Sequence, residues 1–270
     1  MTERTRKVNS VDQVVPKGLD TSKPNIARVY DYWLGGKDNF AADRDLADMM
    51  RERNPRIPAM ARANRQFITA VARRAAESGV AAFLDLGAGL PVRPYVHEAA
   101  QDVNPDAKVL YIDYDPMVVL HAQALLTGTG VVAAEADLRH PADVLALPET
   151  RELMSSAEPV CVILGLVLHF LAADQAAAVV AAYREHLPAG SWIAVSILHY
   201  EDTELMADMS SMYTAAQFIN HGPAELASWL DGTELLSPGI SETQQWTAGV
   251  SGPPPSSPGW IACAVGINRS

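Results

Sequence analysis

Three acidic residues follow three apolar runs in turn, each with neighbours that suit a ligand. "FLDLGAGLPV" (Phe83 to Val92) carries Asp85 and then Gly87-Ala88-Gly89, "KVLYIDYDP" reaches Asp113 and Tyr114, and "AEADLRHP" holds Asp137 and Leu138. A Gly-x-Gly turn lets a ligand approach the backbone closely, because no Cβ stands in the way. A dinucleotide fingerprint needs a third glycine three residues after the second, and Val92 occupies that place behind Pro91. A carboxylate at Asp85 repels phosphates and favours a cationic amino or sulfonium group. The plainer alternative is an Asp that caps the next turn. Asp113 is placed to accept both hydroxyls of a ribose. Asp137 is placed to accept the exocyclic amine of an adenine, with the Leu138 amide near a ring nitrogen. Asp115, before Pro116, reads as a helix cap. The three acids in order make a rim for an adenosine without phosphates.

Such a rim requires successive parallel strands that end on one side. After Gly79, short apolar runs alternate with helical stretches, and strands are expected near 81–86, 108–113, 130–135, 159–165, 190–198, 233–240 and 259–267. That alternation implies a parallel sheet covered on both faces, with ligands at the carboxyl ends of its strands. Ahead of Gly79 the period is helical. Ile26, Val29, Tyr30 and Trp33 recur behind Pro24 until Gly35-Gly36, and two more helices are expected near 39–53 and 58–78, the last with Phe67, Ile68, Val71 and Ala75 on one face. The chain divides into a flexible polar arm (1–22), a helical lid segment (23–79) and an α/β domain (80–270). "SGPPPSSPGW" (251–260) reads as a loop between strands that pair as an antiparallel hairpin at the sheet edge.

Composition narrows the partners. The 270 residues are 49% hydrophobic with a net charge of −11, which excludes a general duplex-binding surface and leaves no nucleic-acid partner expected. The start lacks a secretory h-region, and the longest apolar run, Val160 to Leu168, is too short for a bilayer, so a cytoplasmic protein with no membrane partner is expected. Cys161 and Cys263 sit in apolar runs, with no CxxC pair or Cys/His cluster, so no metal is expected. Oligomeric state is open.

Four stretches together, "PNIARVYDYWLGGKDNF" (24–40), "FLDLGAGLPV", "YIDYDP" and "ADLRHP", resemble the S-adenosylmethionine-dependent methyltransferases, and more narrowly an actinobacterial group of them. The resemblance covers about 22–267. It implies a Rossmann-like class I methyltransferase fold, a mostly parallel seven-stranded sheet with its last strand antiparallel, that binds S-adenosyl-L-methionine. It does not supply the methyl acceptor, for which the acidic charge favours a small molecule. A non-catalytic S-adenosylmethionine sensor and an NAD-dependent oxidoreductase are the alternatives. Arg28 and Tyr32 share one face of the first helix, and the face closes over the cofactor if Arg28 or Lys37, beyond the Gly36 bend, meets the methionine carboxylate. The alternative pairs Arg28 with Asp31 on a solvated face.

Methyl transfer to oxygen or nitrogen also needs a base. His199, in "SILHYED", ranks first because polar neighbours suggest that it faces the open end of the sheet. His169, in "LVLHFL", ranks second, its alternative being a packed core residue. Glu201, Asp202 and Glu204 read as acids at a helix start. Trp33, Tyr95, Tyr213 and Phe218 are candidates to line an acceptor pocket.

Overall fold

Short runs of Val, Ile, Leu and Ala form strands in this chain because helices cover both of their faces. The structure, a computed structural model, describes residues 20–155, 158–212, 216–249 and 259–269. Residues 1–19 of the expected arm, Tyr213 and the proline-rich stretch 251–258 lie outside them. The strands are β1 (Ala82–Leu86), β2 (Lys108–Asp113), β3 (Val131–Glu135), β4 (Val160–Gly165), β5 (Trp192–Tyr200), β6 (Thr233–Leu235), β7 (Ser241–Glu242) and β8 (Gly259–Asn268). They form one sheet in the order β3-β2-β1-β4-β5-β8-β6, with the two-residue β7 also pairing β8. Strands β1 to β5 run parallel, and β8 is antiparallel to β5, β6 and β7.

One detail differs from expectation. The sixth strand ends at Leu235, because Ser237-Pro238-Gly239 turns the chain with Gly239 at φ +83°. The strands on either side of the proline-rich stretch pair antiparallel at this edge, as expected, with β6 outermost and β8 between it and β5, which suits a strand buried on both faces along nearly its whole length.

The helices are α1 (Ile26–Leu34), α2 (Ala41–Arg53), α3 (Ile57–Glu77), α4 (Val96–Gln101), α5 (Pro116–Leu125), α6 (Pro141–Ala146), α7 (Pro148–Met154), α8 (Ala173–Glu185), α9 (Thr203–Met212), α10 (Pro223–Trp229) and α11 (Thr243–Ala248). Side chains alternate across the sheet. Leu84, Leu110, Val162 and Ile193 face one core with α6, α7, α8 and α10. Phe83, Val109, Cys161 and Trp192 face the other, with α3, α4, α5 and α11. In that second core Phe67, Val71, Ala72 and Ala75 of α3 are fully buried, and Phe67 meets Trp246 edge-on at 5.0 Å. Helix α3, expected within the lid segment, is thus one layer of the sheet domain. The cover proper is α1 and α2. A third core, of Val29, Leu46, Met50, Ile57, Tyr200, Met206 and Met209, joins them to α9 and the end of β5. No helix among the described residues is long and apolar enough to cross a membrane.

Two buried carboxylates build this cover. Asn25 caps α1, its side chain accepting from the Ala27 and Arg28 amides, and Gly35 closes the helix at φ +83°. Asp31 accepts from the Asp38 amide and the Asn39 side chain, and sits so close to Gly36 that a Cβ there would meet its carboxylate. Asp43 is fully buried and accepts 2.8 Å bonds from Arg28 Nε, the Asn25 amide and the Phe40 amide. A buried charge that loses its partner destabilises by about 3–5 kcal/mol. Asp43→Ala should cost about that much in urea unfolding, and a loss under about 1 kcal/mol would show that the ion pair does not hold the cover.

Candidate functional site

Strands β1 to β4 deliver their carboxyl ends to one side, and the strand order reverses direction between β1 and β4, which opens a crevice there. A cavity of about 600 Å³ occupies it, roofed by α1 and walled by α3. Asp85, Gly87, Ala88, Gly89, Asp113, Tyr114, Asp137 and Leu138 all line it. The parallel sheet thus brings together eight residues from the ends of β1 and β2 and from the loops after β1, β2 and β3.

The glycine loop is shaped by contact as much as by turn geometry. Gly87 and Gly89 have φ of +71° and +66°, and a Cβ on Gly87 would lie 2.5 Å from Val167 Cγ1. The Gly87 and Ala88 amides donate to Ile112 O at 2.8 and 3.0 Å, and the Gly89 amide donates to Asp113 Oδ2 at 2.9 Å. The loop amides are therefore engaged by β2 and its last residue.

The three acids differ in electrostatic setting. Asp85 is 4% exposed, and desolvation pushes its pKa up to about 6, against the pull of the Arg65 guanidinium and with the push of Asp113. Burial also raises the Asp113 pKa, opposed by the amides of Asp115 and Gly89 that donate to its carboxylate. At Asp137 burial works upward, but Arg139, which donates Nε to both carboxylate oxygens at 2.8–2.9 Å, brings the pKa below its usual value. Arg139 also lies over the Tyr114 ring at 5.8 Å. Asp115 caps α5 through the Met117 amide and accepts from the Asn25 side chain, which fastens the cover to this rim.

The expected cations are elsewhere. Arg28, Gly36 and Lys37 are not among the residues lining the cavity. Arg28 is held by Asp43 and donates to Lys23 O at 2.7 Å, so neither the carboxylate role nor the pairing with Asp31 describes it. Its buried position demands a partner, and the nearest carboxylate is built into the cover. Two arginines line the cavity: Arg139, paired with Asp137, and Arg65 of α3, anchored by a 2.8 Å bond from Nε to Pro94 O. A signal existed in the sequence: Ile57, Met60, Ala61, Asn64 and Ile68 form a helical stripe, in which Asn64 and the adjacent Arg65 interrupt an otherwise apolar face.

The two histidines separate. His199 turns to the opposite face of β5, where its Nδ1 bonds His221 O at 2.9 Å and its ring meets Trp260 edge-on. It does not line the cavity, because Leu198 and Tyr200 of β5 point that way and odd positions point to the other core. His169 does line it. It sits in a 3-10 turn (Leu168–Phe170) rather than a long helix, 4% exposed, between Phe170 at 4.3 Å and Phe218 at 4.6 Å. Its Nδ1 is buried without a hydrogen-bond partner, and burial, aided by His221, pushes its pKa down to about 3. Trp33 and Phe218 line the cavity, whereas Tyr95 stacks on His97. Asp202 accepts from the Glu204 and Leu205 amides as a helix cap. Among the described residues, no group of three His, Cys, Asp or Glu is placed to hold a metal.

A buried polar chain ties the cover to the loop after β4. Leu166, at φ +57°, donates its amide to Ser196 Oγ, which donates to Asn64 Oδ1 at 2.6 Å. Asn64 Nδ2 donates to the Tyr30 hydroxyl, and that hydroxyl to Ala61 O. A leucine in the left-handed region is strained, and here its amide holds it by donating to both Ser196 O and Ser196 Oγ of β5.

Residues 12–269 match the model of a family described as S-adenosyl methyltransferase. Among solved structures, a candidate methyltransferase of Thermobifida fusca YX is 36% identical with a TM-score of 0.87, over 97% of this chain and 100% of that one. A DUF574 family protein of Streptomyces avermitilis MA-4680 is 32% identical with a TM-score of 0.84, over 93% and 99%. A plantazolicin methyltransferase, 11% identical with a TM-score of 0.50 over 90% and 96%, shares the fold. No curated protein sequence matches the chain.

The Asp85 setting has a measurable consequence. Its folded pKa lies above the unfolded value of 3.8, so the folded state favours the protonated acid. Stability from this group is full below pH 4 and falls as pH rises through about 6, by roughly 2–3 kcal/mol. Asp85→Asn should therefore match the wild type near pH 4 and exceed it near pH 7 in urea unfolding, provided no ligand is added. Equal wild-type and variant stabilities at both pH values would mean that Asp85 is solvated.

Proposed function

We propose, starting from the fact that this chain belongs to the S-adenosyl methyltransferase family, that the cavity holds S-adenosylmethionine along the rim of β1 to β3 and that the acceptor is a small molecule. The observation that carries this reading is the donor set of the cavity: a desolvated carboxylate, Asp85, beside the Arg65 cation, followed in strand order by Asp113 and by Asp137, which Arg139 partly neutralises. An amino-acid zwitterion at one end and an adenosine at the other match that sequence of charges. Asp85 would take the ammonium, Arg65 the carboxylate, Asp113 the ribose hydroxyls, and Asp137 with the Leu138 amide the adenine. The engaged amides of Gly87, Ala88 and Gly89 leave no cradle for a pyrophosphate, which speaks against the NAD reading.

Bound S-adenosylmethionine supplies an activated methyl group. The chain's part is to align an acceptor with that group and to exclude water, which the α1 cover and the third core serve. Asp85 ionises as it meets a cation, so binding releases a proton at pH below about 6. Cytoplasmic location fits a reaction on a small metabolite.

Calorimetry with S-adenosylhomocysteine tests the reading. The expected affinity is low micromolar, about −8 kcal/mol, rising up to tenfold from pH 5 to pH 7 in the wild type and staying flat in Asp85→Asn. Tight NAD binding with no heat from S-adenosylhomocysteine would sink it. Asp113→Ala should weaken S-adenosylhomocysteine by roughly 1–3 kcal/mol through lost ribose bonds. Arg65→Ala should weaken S-adenosylhomocysteine at least tenfold while leaving adenosine nearly unchanged, and an equal loss for both ligands would reassign Arg65 to folding.

A further inference from the structure

The end of the cavity away from the acids has its own chemistry. Trp33, Met50, Met60, Phe170, Leu198 and Phe218 line it, drawn from α1, α2, α3, the loop after β4, β5 and the segment before α10. The charged lining residues, by contrast, come from the loops after β1, β2 and β3 and from Arg65. A charged ligand group at the apolar end would lose its hydration with no opposite charge to meet it. Flat aromatic faces with two methionines, whose unbranched side chains adapt to shape, suit a ring. Two polar atoms of lining residues are buried without a partner, Tyr200 Oη and His169 Nδ1, and the second sits between two phenylalanine rings. Orphaned buried nitrogens are costly and rare, so a ligand that completes the bond gains from it.

We infer that this end binds the methyl acceptor, that the acceptor is an uncharged, ring-bearing alcohol or phenol, and that its hydroxyl donates to His169 Nδ1. The inference rests on the methyltransferase reading above. In the transfer, the acceptor oxygen forms its bond to the methyl carbon as the carbon–sulfur bond breaks, and that electron pair remains on sulfur as a neutral thioether. The hydroxyl proton passes to Nδ1. An imidazolium so deeply buried is unfavourable alone, as the depressed pKa of His169 records. Here its charge arises as the sulfonium charge disappears, so the net charge of the cavity is unchanged. The same depression keeps the imidazole neutral throughout the physiological range, and in its Nε2–H tautomer the Nδ1 pair is free to accept.

The full chain, saturated with S-adenosylhomocysteine, is titrated by calorimetry with 2-naphthol, 2-naphthoate and 2-naphthylmethylamine. Expected is binding of 2-naphthol at least tenfold tighter than either charged analogue. His169→Phe, which keeps a ring in the stack, should bind S-adenosylhomocysteine normally and lose tenfold or more for 2-naphthol. His169→Asn keeps a polar atom near Nδ1 without a useful base. It should bind 2-naphthol within about threefold of wild type, yet methylate it at least a hundredfold more slowly with S-adenosylmethionine, within the range typical of a lost general base. The inference is overturned if a charged analogue binds as well as 2-naphthol, if His169→Phe binds it unchanged, or if His169→Asn turns over at the wild-type rate. S-adenosylhomocysteine binding without any 2-naphthol binding would defeat this inference alone, whereas failure to bind S-adenosylhomocysteine would defeat the underlying reading as well.

Discussion

Parallel pairing forces the carboxyl ends of β1 to β4 to one edge of the sheet, and everything at the site depends on that constraint. Successive crossovers run over opposite faces on the two sides of the β1–β4 boundary, so backbone cannot fill the space above it. Loops that follow the strands therefore meet around a cavity. Asp85, near the end of β1, is packed deepest and becomes the most desolvated of the three acids that line the rim. Asp113, at the end of β2, is able to reach back to the Gly89 amide and so fixes the glycine loop that precedes its own strand.

The cover has a different physical origin. Helix α1 has only nine residues, too few to be stable in isolation, and its position comes from buried polar contacts at both ends and from the methionine-rich third core. Asn25 joins the α1 start to Asp43 on one side and to Asp115 on the other, and Trp33 donates to Ala47 O of α2. Arg28 and Asp43 are a structural pair because each is too deeply buried to be left alone. That arrangement explains why the long N-terminal stretch is so distinctive in sequence while little of it touches the acids directly. It encodes a roof.

Between roof and sheet runs the chain of hydrogen bonds from Leu166 through Ser196 and Asn64 to Tyr30. Every member is satisfied, which is what allows a polar network to sit in a core without cost to uniqueness. It places the strained Leu166 backbone and the following 3-10 turn, and with them His169, at a fixed distance from α1. A cavity with an acidic end and an aromatic end results from one sheet edge and one roof meeting across this seam.

Strand positions, the helical start and the acid rim were legible in the sequence because each depends on local periodicity and on which residue ends a strand. Asp85, Asp113 and Asp137 needed only the knowledge that their runs were parallel neighbours. Facing was not legible where one residue decides it. His199 and Leu198 are adjacent and point to opposite cores, and the polar residues after His199 gave no hint of which side was open. Arg28 and Arg65 are both arginines on helices with one apolar face, and only tertiary packing decides that Asp43 neutralises the first while the second reaches the cavity beside Asp85. Likewise α3 reads as one more helix of a lid, yet Phe67 and Val71 bind it to the sheet, because Trp246 and Cys161, far along the chain, supply the surface that covers them. Local pattern determines what an element is. Which partner satisfies each buried charge is decided only when elements distant in sequence meet and water is excluded between them.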